Sequence, residues 1–219
     1  VGDGTNPLAE SGIVIDGTEA QKREYLTKIA SGEYVPAFAM TEPDAGSDAG
    51  SLKTTAHTDG GDYLLNGTKR FITNAPRADI LTVMARTNTE IKGAGGISAF
   101  IVRRDTPGLS FGKPEKKMGQ QGAHISDVIF EDCRVPAENI IGSVEGVGFK
   151  TAMKTLDRGR LHLAAVCAGF AERIIETTLA YAIERKQFGQ PIAEFQLVQA
   201  MLADSKAEAD AARCMTGPL

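Results

Sequence analysis

Little in this 219-residue chain points to a covalent or metallic framework. Its three cysteines, Cys133, Cys167 and Cys214, lie far apart and form no CxxC pair. An odd, scattered set argues against a disulfide scaffold or a zinc site and favours a reducing compartment. The three histidines, His57, His124 and His162, are equally isolated, so no metal-ligand spacing is legible and no metal is expected. No apolar run approaches the ~20 residues of a membrane-spanning helix. No charged-then-apolar leader marks the chain for secretion. Neither sign of charge dominates: 24 Lys and Arg stand against 28 Asp and Glu, a net charge of -4. That balance exerts no overall pull toward nucleic acid or anionic lipid. Walker loops, a GxGxxG before a helix, and Ser-His-Asp or Cys-His pairs are all missing. The chain opens at Val1 without a Met, as an excerpt or a processed form would.

What is present is an average globular composition, 42% hydrophobic and 24% charged, which excludes a disordered tail. Residues 1–36 read as a polar loop followed by a helix. Thr18 and Gln21 stand at capping-box spacing, Tyr25, Leu26 and Ile29 form a short apolar stripe, and Ser31-Gly32 ends it. Residues 37–142 change to short apolar runs punctuated by glycine. Tyr63-Leu64-Leu65 and Lys69 to Thr73 read as two strands joined through an Asn66-Gly67 turn. Further strands are expected over Ile80 to Arg86, Ile97 to Arg103 and Val128 to Cys133, which together suggest an all-β barrel or sandwich. Residues 143–219 change again. Gly142 to Gly148 reads as a linker with Ser143 as cap. Phe149, Met153, Leu156, Leu163, Cys167, Phe170 and Ile174 then mark one seam of a long helix over 144–187. Some 40 residues at about 1.5 Å each span about 60 Å. Leu161 to Ala171 is apolar almost all round, which predicts burial on several sides. A second helix runs from about Ala193 to Met215. The expected fold is therefore α+β and multidomain: a central β-barrel or sandwich followed by long antiparallel helices of an incomplete four-helix bundle.

Four stretches stand out chemically. Phe38 to Asp48 runs from an apolar segment into a turn dense in hydroxyls, carboxylates and glycine. Such a turn suits a flat heteroaromatic ring with donors and acceptors at its edge; taken alone, a plain strand-to-loop turn is the commoner reading. Phe71 and Thr73 share a strand face and are placed to flank a planar group; taken alone, a core Phe71 with a surface-turn Asn74 is the favoured reading. Arg160 falls on the apolar seam, where an unpaired guanidinium is costly to bury. Asp157 stands one turn away, so the two form a helix salt bridge or a polar patch facing a ligand. Arg185 to Pro191 closes the long helix with Gly189 suited to C′, or supplies a cation and an aromatic for a nucleotide.

Taken in order, these features resemble the acyl-CoA dehydrogenase family. The resemblance rests on Gly17-Thr18-Glu19-Ala20-Gln21-Lys22, Thr41-Glu42-Pro43-Asp44-Ala45-Gly46-Ser47-Asp48, Phe71-Ile72-Thr73-Asn74, Phe130-Glu131-Asp132 and Glu184-Arg185-Lys186-Gln187-Phe188-Gly189. It covers nearly the whole chain and implies three parts: the end of an N-terminal helical domain (1–36), a middle β-domain (37–142) and the first half of a C-terminal helical domain (143–219). It also implies FAD, with Phe38, Met40, Thr41, Gly46, Ser47, Phe71, Ile72 and Thr73 around the flavin ring. Ser47, Asp157 and Arg160 would meet acyl-CoA. Arg185, Gln187, Phe188, Phe195 and Gln196 would reach the FAD of a neighbouring subunit, implying a dimer of dimers. The implied reaction is α,β-dehydrogenation of an acyl-CoA thioester: a Glu takes the α-proton, a hydride leaves the β-carbon for the flavin, and electrons pass to an electron-transferring flavoprotein.

The sequence departs from the family's pattern at three places. Gly159 stands where some members carry the catalytic Glu, so no catalytic base is assigned within 1–219; it is expected beyond Leu219, and this chain alone is expected to be inactive. Phe71 replaces a common Trp, and Gln187 a common Thr. An acyl-CoA oxidase or flavin monooxygenase on the same scaffold, or a flavin-free paralogue serving as a binding subunit, are the alternatives. The expected location is the cytoplasm of a bacterium or the mitochondrial matrix of a eukaryote.

Overall fold

The computed structural model describes residues 7–217 and divides into two compact units, Val1–Leu156 and Asp157–Leu219. Where a polar loop was expected, the described part of the N-terminus is a helix, α1 (Pro7–Asp16). Its buried face is narrow and made largely of small residues, Ala9, Gly12 and Ile13. A stripe so short leaves little periodic signal in sequence. The first six residues of the expected loop lie outside the described residues. A second helical run follows over 19–30: α2 (Glu19–Gln21), a wide π-helical turn (Lys22–Leu26) and α3 (Thr27–Ala30). The expected capping box forms. Thr18 Oγ1 accepts from Gln21 N at 3.2 Å, and Gln21 Oε1 accepts from Thr18 N at 3.0 Å. Tyr25 and Ile29 are buried, as their spacing required.

The rest of the first unit is built on a seven-stranded mixed sheet. Its strands are β1 (Pro36–Ala39), β2 (Thr55–Asp59), β3 (Asp62–Thr73), β4 (Ile80–Arg86), β5 (Ile97–Arg103), β6 (Leu109–Phe111) and β7 (Ile125–Val135). The order is β1-β4-β2-β3-β7-β6, with β5 also on β4. β1 and β4 are parallel, and the β2–β3, β3–β7, β4–β5 and β6–β7 pairs are antiparallel. β4 and β5 span the residues that their patterns indicated.

β4 is covered on both faces, and alternation assigns its side chains. Leu81, Val83 and Ala85 join one core with Leu65, Phe100, Phe130 and Val135. Ile80 and Met84 join another with Ile13, Tyr25, Ile29 and the start of the long helix. Thr82 faces the helices too, and its hydroxyl donates to Ala9 O at 2.7 Å.

The turn expected at Asn66-Gly67 is absent. β3 runs unbroken through both residues, with register shifts against β7 at Leu65–Gly67 and at Lys69–Ile72. The hairpin lies instead at Gly60-Gly61, between β2 and β3. Asn-Gly favours positive φ, and a bulge satisfies that preference as well as a turn does.

Helix α4 (Gly148–Glu184) is the expected long helix, shorter at both ends. Ser143 does not cap it: it sits at φ +56° ahead of the first turn. The helix start is set by a close approach. A Cβ on Gly148 would lie 2.3 Å from Ser98 C, and Gly146 N donates to Ser98 Oγ at 2.9 Å. The seam holds through Leu156 and then changes. Leu161, Leu163, Phe170 and Ile174 are 56–63% exposed, contrary to the burial expected for Leu161 to Ala171. A helix face is buried only when other elements cover it, and among the described residues the second unit has one other long helix. That helix, α5 (Gln196–Thr216), begins three residues later than expected. Arg213 Nη1 reaches Glu172 Oε1 at 2.7 Å and so ties it to α4. Among the described residues, no helix is long and apolar enough to cross a membrane.

Candidate functional site

The first two predicted stretches meet at one end of the sheet. β1 ends at Ala39, and its continuation passes β3 where β3 bulges. Arg70 N donates to Thr41 O at 2.8 Å across that junction. Beneath it lies a buried ion pair. Lys69 is fully buried, and its Nζ donates to Glu42 Oε1 at 2.7 Å and to Met40 O at 3.2 Å. Glu42 Oε1 also accepts from Thr54 N at 2.9 Å and Thr54 Oγ1 at 2.5 Å, while Oε2 accepts from Lys53 N at 2.5 Å. Burial alone would raise the Glu42 carboxyl. The Lys69 charge and these donors outweigh it, so the carboxyl sits below its ordinary value. Burial lowers the Lys69 ammonium to about 8, against the opposing pull of Glu42. Glu42 lies within the Thr41 to Asp48 motif with no role legible from sequence, and nothing in the sequence singles out Lys69. A lysine within a strand carries no signal of burial until its carboxylate partner is located.

Above this pair the backbone is turned outward. Phe71 adopts φ +57° and leaves 57% of its surface exposed, whereas Ile72 beside it is buried. The Arg70 guanidinium lies 5.1 Å from the Phe71 ring centre. Thr41 is exposed, Thr73 half-buried, and Phe38 half-buried on β1. Met40 is buried and offers its carbonyl to Lys69. Gly46 and Ser47 are exposed on the following turn, and the space on the Cβ side of Gly46 is open. An exposed aromatic ring, three hydroxyls and an open glycine therefore lie on the two segments joined here. That set matches a flat ring with a polar edge.

In the second unit, Asp157 and Arg160 form the anticipated pair: Arg160 Nη1 donates to Asp157 Oδ1. Both side chains are more than two-thirds exposed, so the buried guanidinium suggested by the seam does not occur. Gly189 is not a helix C′ residue. It forms, with Phe188, the two-residue turn of a hairpin joining β8 (Lys186–Gln187) and β9 (Gln190–Pro191). Both turn residues have positive φ, +50° and +86°, the signature of a type I′ turn. The turn leaves Phe188 95% exposed. Its ring meets Phe195 edge to face, with centres 6.2 Å apart. Gln187, Phe188, Phe195 and Gln196 line one open, mainly apolar recess of about 730 Å³, and exposed Arg185 sits just before the hairpin. A second recess of about 430 Å³, lined by Tyr34, Asp79, Arg103, Arg104 and Asp105, holds none of the anticipated residues.

Comparison with known proteins agrees over most of the chain. Residues 37–133 match the family model of the acyl-CoA dehydrogenase middle domain, and residues 146–217 match that of the C-terminal domain. An acyl-CoA dehydrogenase of Bacillus subtilis is 48% identical over 210 residues, 96% of this chain and 54% of its own length. A subunit of the caffeyl-CoA reductase–Etf complex of Acetobacterium woodii is also 48% identical over 210 residues, 96% of this chain and 55% of its own length. The structure of butyryl-CoA dehydrogenase from Megasphaera elsdenii superposes with a TM-score of 0.93 at 43% identity, covering 98% of this chain and 56% of that one. The chain thus spans about half the length of the curated relatives it matches.

Proposed function

Because this chain belongs to the acyl-CoA dehydrogenase family, we propose that it supplies the flavin-ring and CoA contacts of an FAD-dependent acyl-CoA dehydrogenase. The observation that carries this reading is the meeting of Met40-Thr41 with Phe71-Ile72-Thr73 over one locked junction. Phe38 and Phe71 would bound the ring. Met40, Thr41, Gly46, Ser47, Ile72 and Thr73 would offer its edge backbone groups and hydroxyls. When bound, FAD supplies the two-electron acceptor chemistry, which the side chains of this chain lack. The chain's own contribution is orientation: it holds ring and thioester in fixed register and keeps the acyl group against the ring face.

Ser47 stands at the junction of ring and substrate. Asp157 and Arg160, paired and open to solvent, would hold polar groups of the CoA moiety. Arg185, Gln187, Phe188, Phe195 and Gln196 would act on a second copy's FAD, in a dimer of dimers. Gly159 offers no side chain for proton abstraction, and we assign no base within 1–219. The division into 1–36, 37–142 and 143–219 belongs to the same proposal. So do a place in fatty-acid β-oxidation, a bacterial cytoplasmic or mitochondrial-matrix location, and electron transfer to an electron-transferring flavoprotein.

A second reading is the reverse direction, reduction of a 2-enoyl-CoA. The 48% identity to a subunit of a caffeyl-CoA reductase–Etf complex favours keeping it in view. The test is the visible absorption of the full-length protein after FAD addition and desalting. About one flavin per chain is expected, together with enoyl-CoA formation from acyl-CoA in the presence of an electron acceptor. A protein that retains no flavin sinks the reading in favour of a flavin-free binding subunit. One that retains flavin but only reduces enoyl-CoA, when given a two-electron donor in place of the acceptor, establishes the reductive alternative.

A further inference from the structure

We propose that the buried Glu42–Lys69 pair is the positioning element of the flavin-ring site, fixing the β1 exit against the β3 bulge so that both present their polar edge together. The inference rests on the FAD reading above. Lys69 springs from the strand that ends in Phe71-Ile72-Thr73, and its ammonium reaches two groups on the other segment, Met40 O and Glu42 Oε1. Glu42 is held in turn from a third segment, by Lys53 N, Thr54 N and Thr54 Oγ1. Thr41, between Met40 and Glu42, is thereby pinned on both sides while its own side chain stays exposed.

The geometry exceeds what cohesion requires. The neighbouring Arg70 N–Thr41 O bond already joins the two segments. The Lys69 chain additionally spends a buried charge to bond the carbonyl just ahead of Thr41. A buried ion pair is rarely a net source of stability compared with apolar packing. Its distinctive property is directional: two charge-assisted bonds from one ammonium fix the spacing of two acceptors. In the proposed site those acceptors flank the residue that meets the ring edge. Small displacements of a preorganised contact translate into large losses of ligand affinity.

The test measures FAD affinity of the apo form of the full-length protein, alongside its unfolding midpoint without flavin. Glu42→Gln keeps an acceptor for Lys69 and for Thr54 but loses the charge and the acceptor for Lys53 N, and FAD affinity is expected to fall about threefold. Adding Lys69→Met in that background removes the bond to Met40 O without leaving an unpaired charge. FAD affinity is then expected to fall at least about tenfold, and the bound flavin's visible circular dichroism to change, while the unfolding midpoint stays close to that of Glu42→Gln. If the double variant does not fold, Thr54→Val is read instead. It is nearly isosteric, removes one donor from Glu42, and should weaken FAD about threefold. Unchanged affinity and unchanged dichroism in whichever variant is read overturn the positioning role and leave the FAD reading standing. Absence of FAD binding in the unaltered protein overturns both.

Discussion

At Gly67 a side chain has nowhere to go. The residue sits at φ +145°, and a Cβ there would lie 2.6 Å from Thr54 Oγ1 and 2.8 Å from Thr54 Cα. The same Thr54 hydroxyl bonds Glu42, so the close approach at the bulge and the grip on the carboxylate are one feature. Gly67→Ala must displace backbone, and a loss of about 2 kcal/mol or more is expected in urea unfolding, with weakened FAD retention following. Glu42 yields a pH prediction. Its carboxyl lies below the ordinary 4.5 in the folded protein, so its stabilisation is complete above about that value and is lost as pH falls through the folded one. Glu42→Gln should therefore cost about 1–3 kcal/mol near neutral pH, with a deficit that shrinks as the medium is acidified. Lys69→Met alone, which leaves Glu42 unpaired, should cost about 3–5 kcal/mol. A smaller cost for Lys69→Met than for Glu42→Gln would contradict this account of the pair. At this scale the sequence displayed Thr41, Phe71 and Thr73 through motif and alternation. The ion pair beneath them was illegible because its members are 27 positions apart.

Among the elements, the helical run at 19–30 is anchored by Gln21. Besides closing the capping box, its side-chain amide donates to Glu138 O and Ile140 O, both at 2.8 Å. Gln21→Ala should cost about 2 kcal/mol, more than an exposed cap, because the buried Ile140 carbonyl and the partly buried Glu138 carbonyl also lose their donor. Thermal unfolding checks this, and a loss no larger than that of Thr18→Ala would show that the long-range bonds contribute nothing. The cap was legible from Thr18 and Gln21 because it is local; the reach to Glu138 and Ile140 was not. The same division explains the other misreadings. Asn66-Gly67 was expected as a turn and Gly189 as a helix C′, and both glycines do take positive φ. Whether positive φ makes a turn, a bulge or a helix terminus depends on which strand lies alongside.

For the whole molecule, the proposed oligomer separates folding from binding at one residue. Phe188 is 95% exposed, so Phe188→Ala should change stability by less than about 0.5 kcal/mol. If its ring packs against FAD of a neighbouring subunit, the same change should weaken FAD retention several-fold in the assembled protein. Equal flavin content in the two proteins would remove Phe188 from the site.

The sequence by itself determined the elements whose information is local. These are the boundaries of β4 and β5, the capping box at Thr18, the two long helices, and the motif-bearing residues of the family. Period, cap chemistry and turn preference act over a few residues and need no partner. Only the tertiary structure decided how β3 bulges instead of turning, how Lys69 finds Glu42, and why Phe71 faces outward beside a buried Ile72. Each depends on a segment distant in sequence that supplies the acceptor, the steric wall or the missing cover, and a buried charge acquires its role only when that segment arrives.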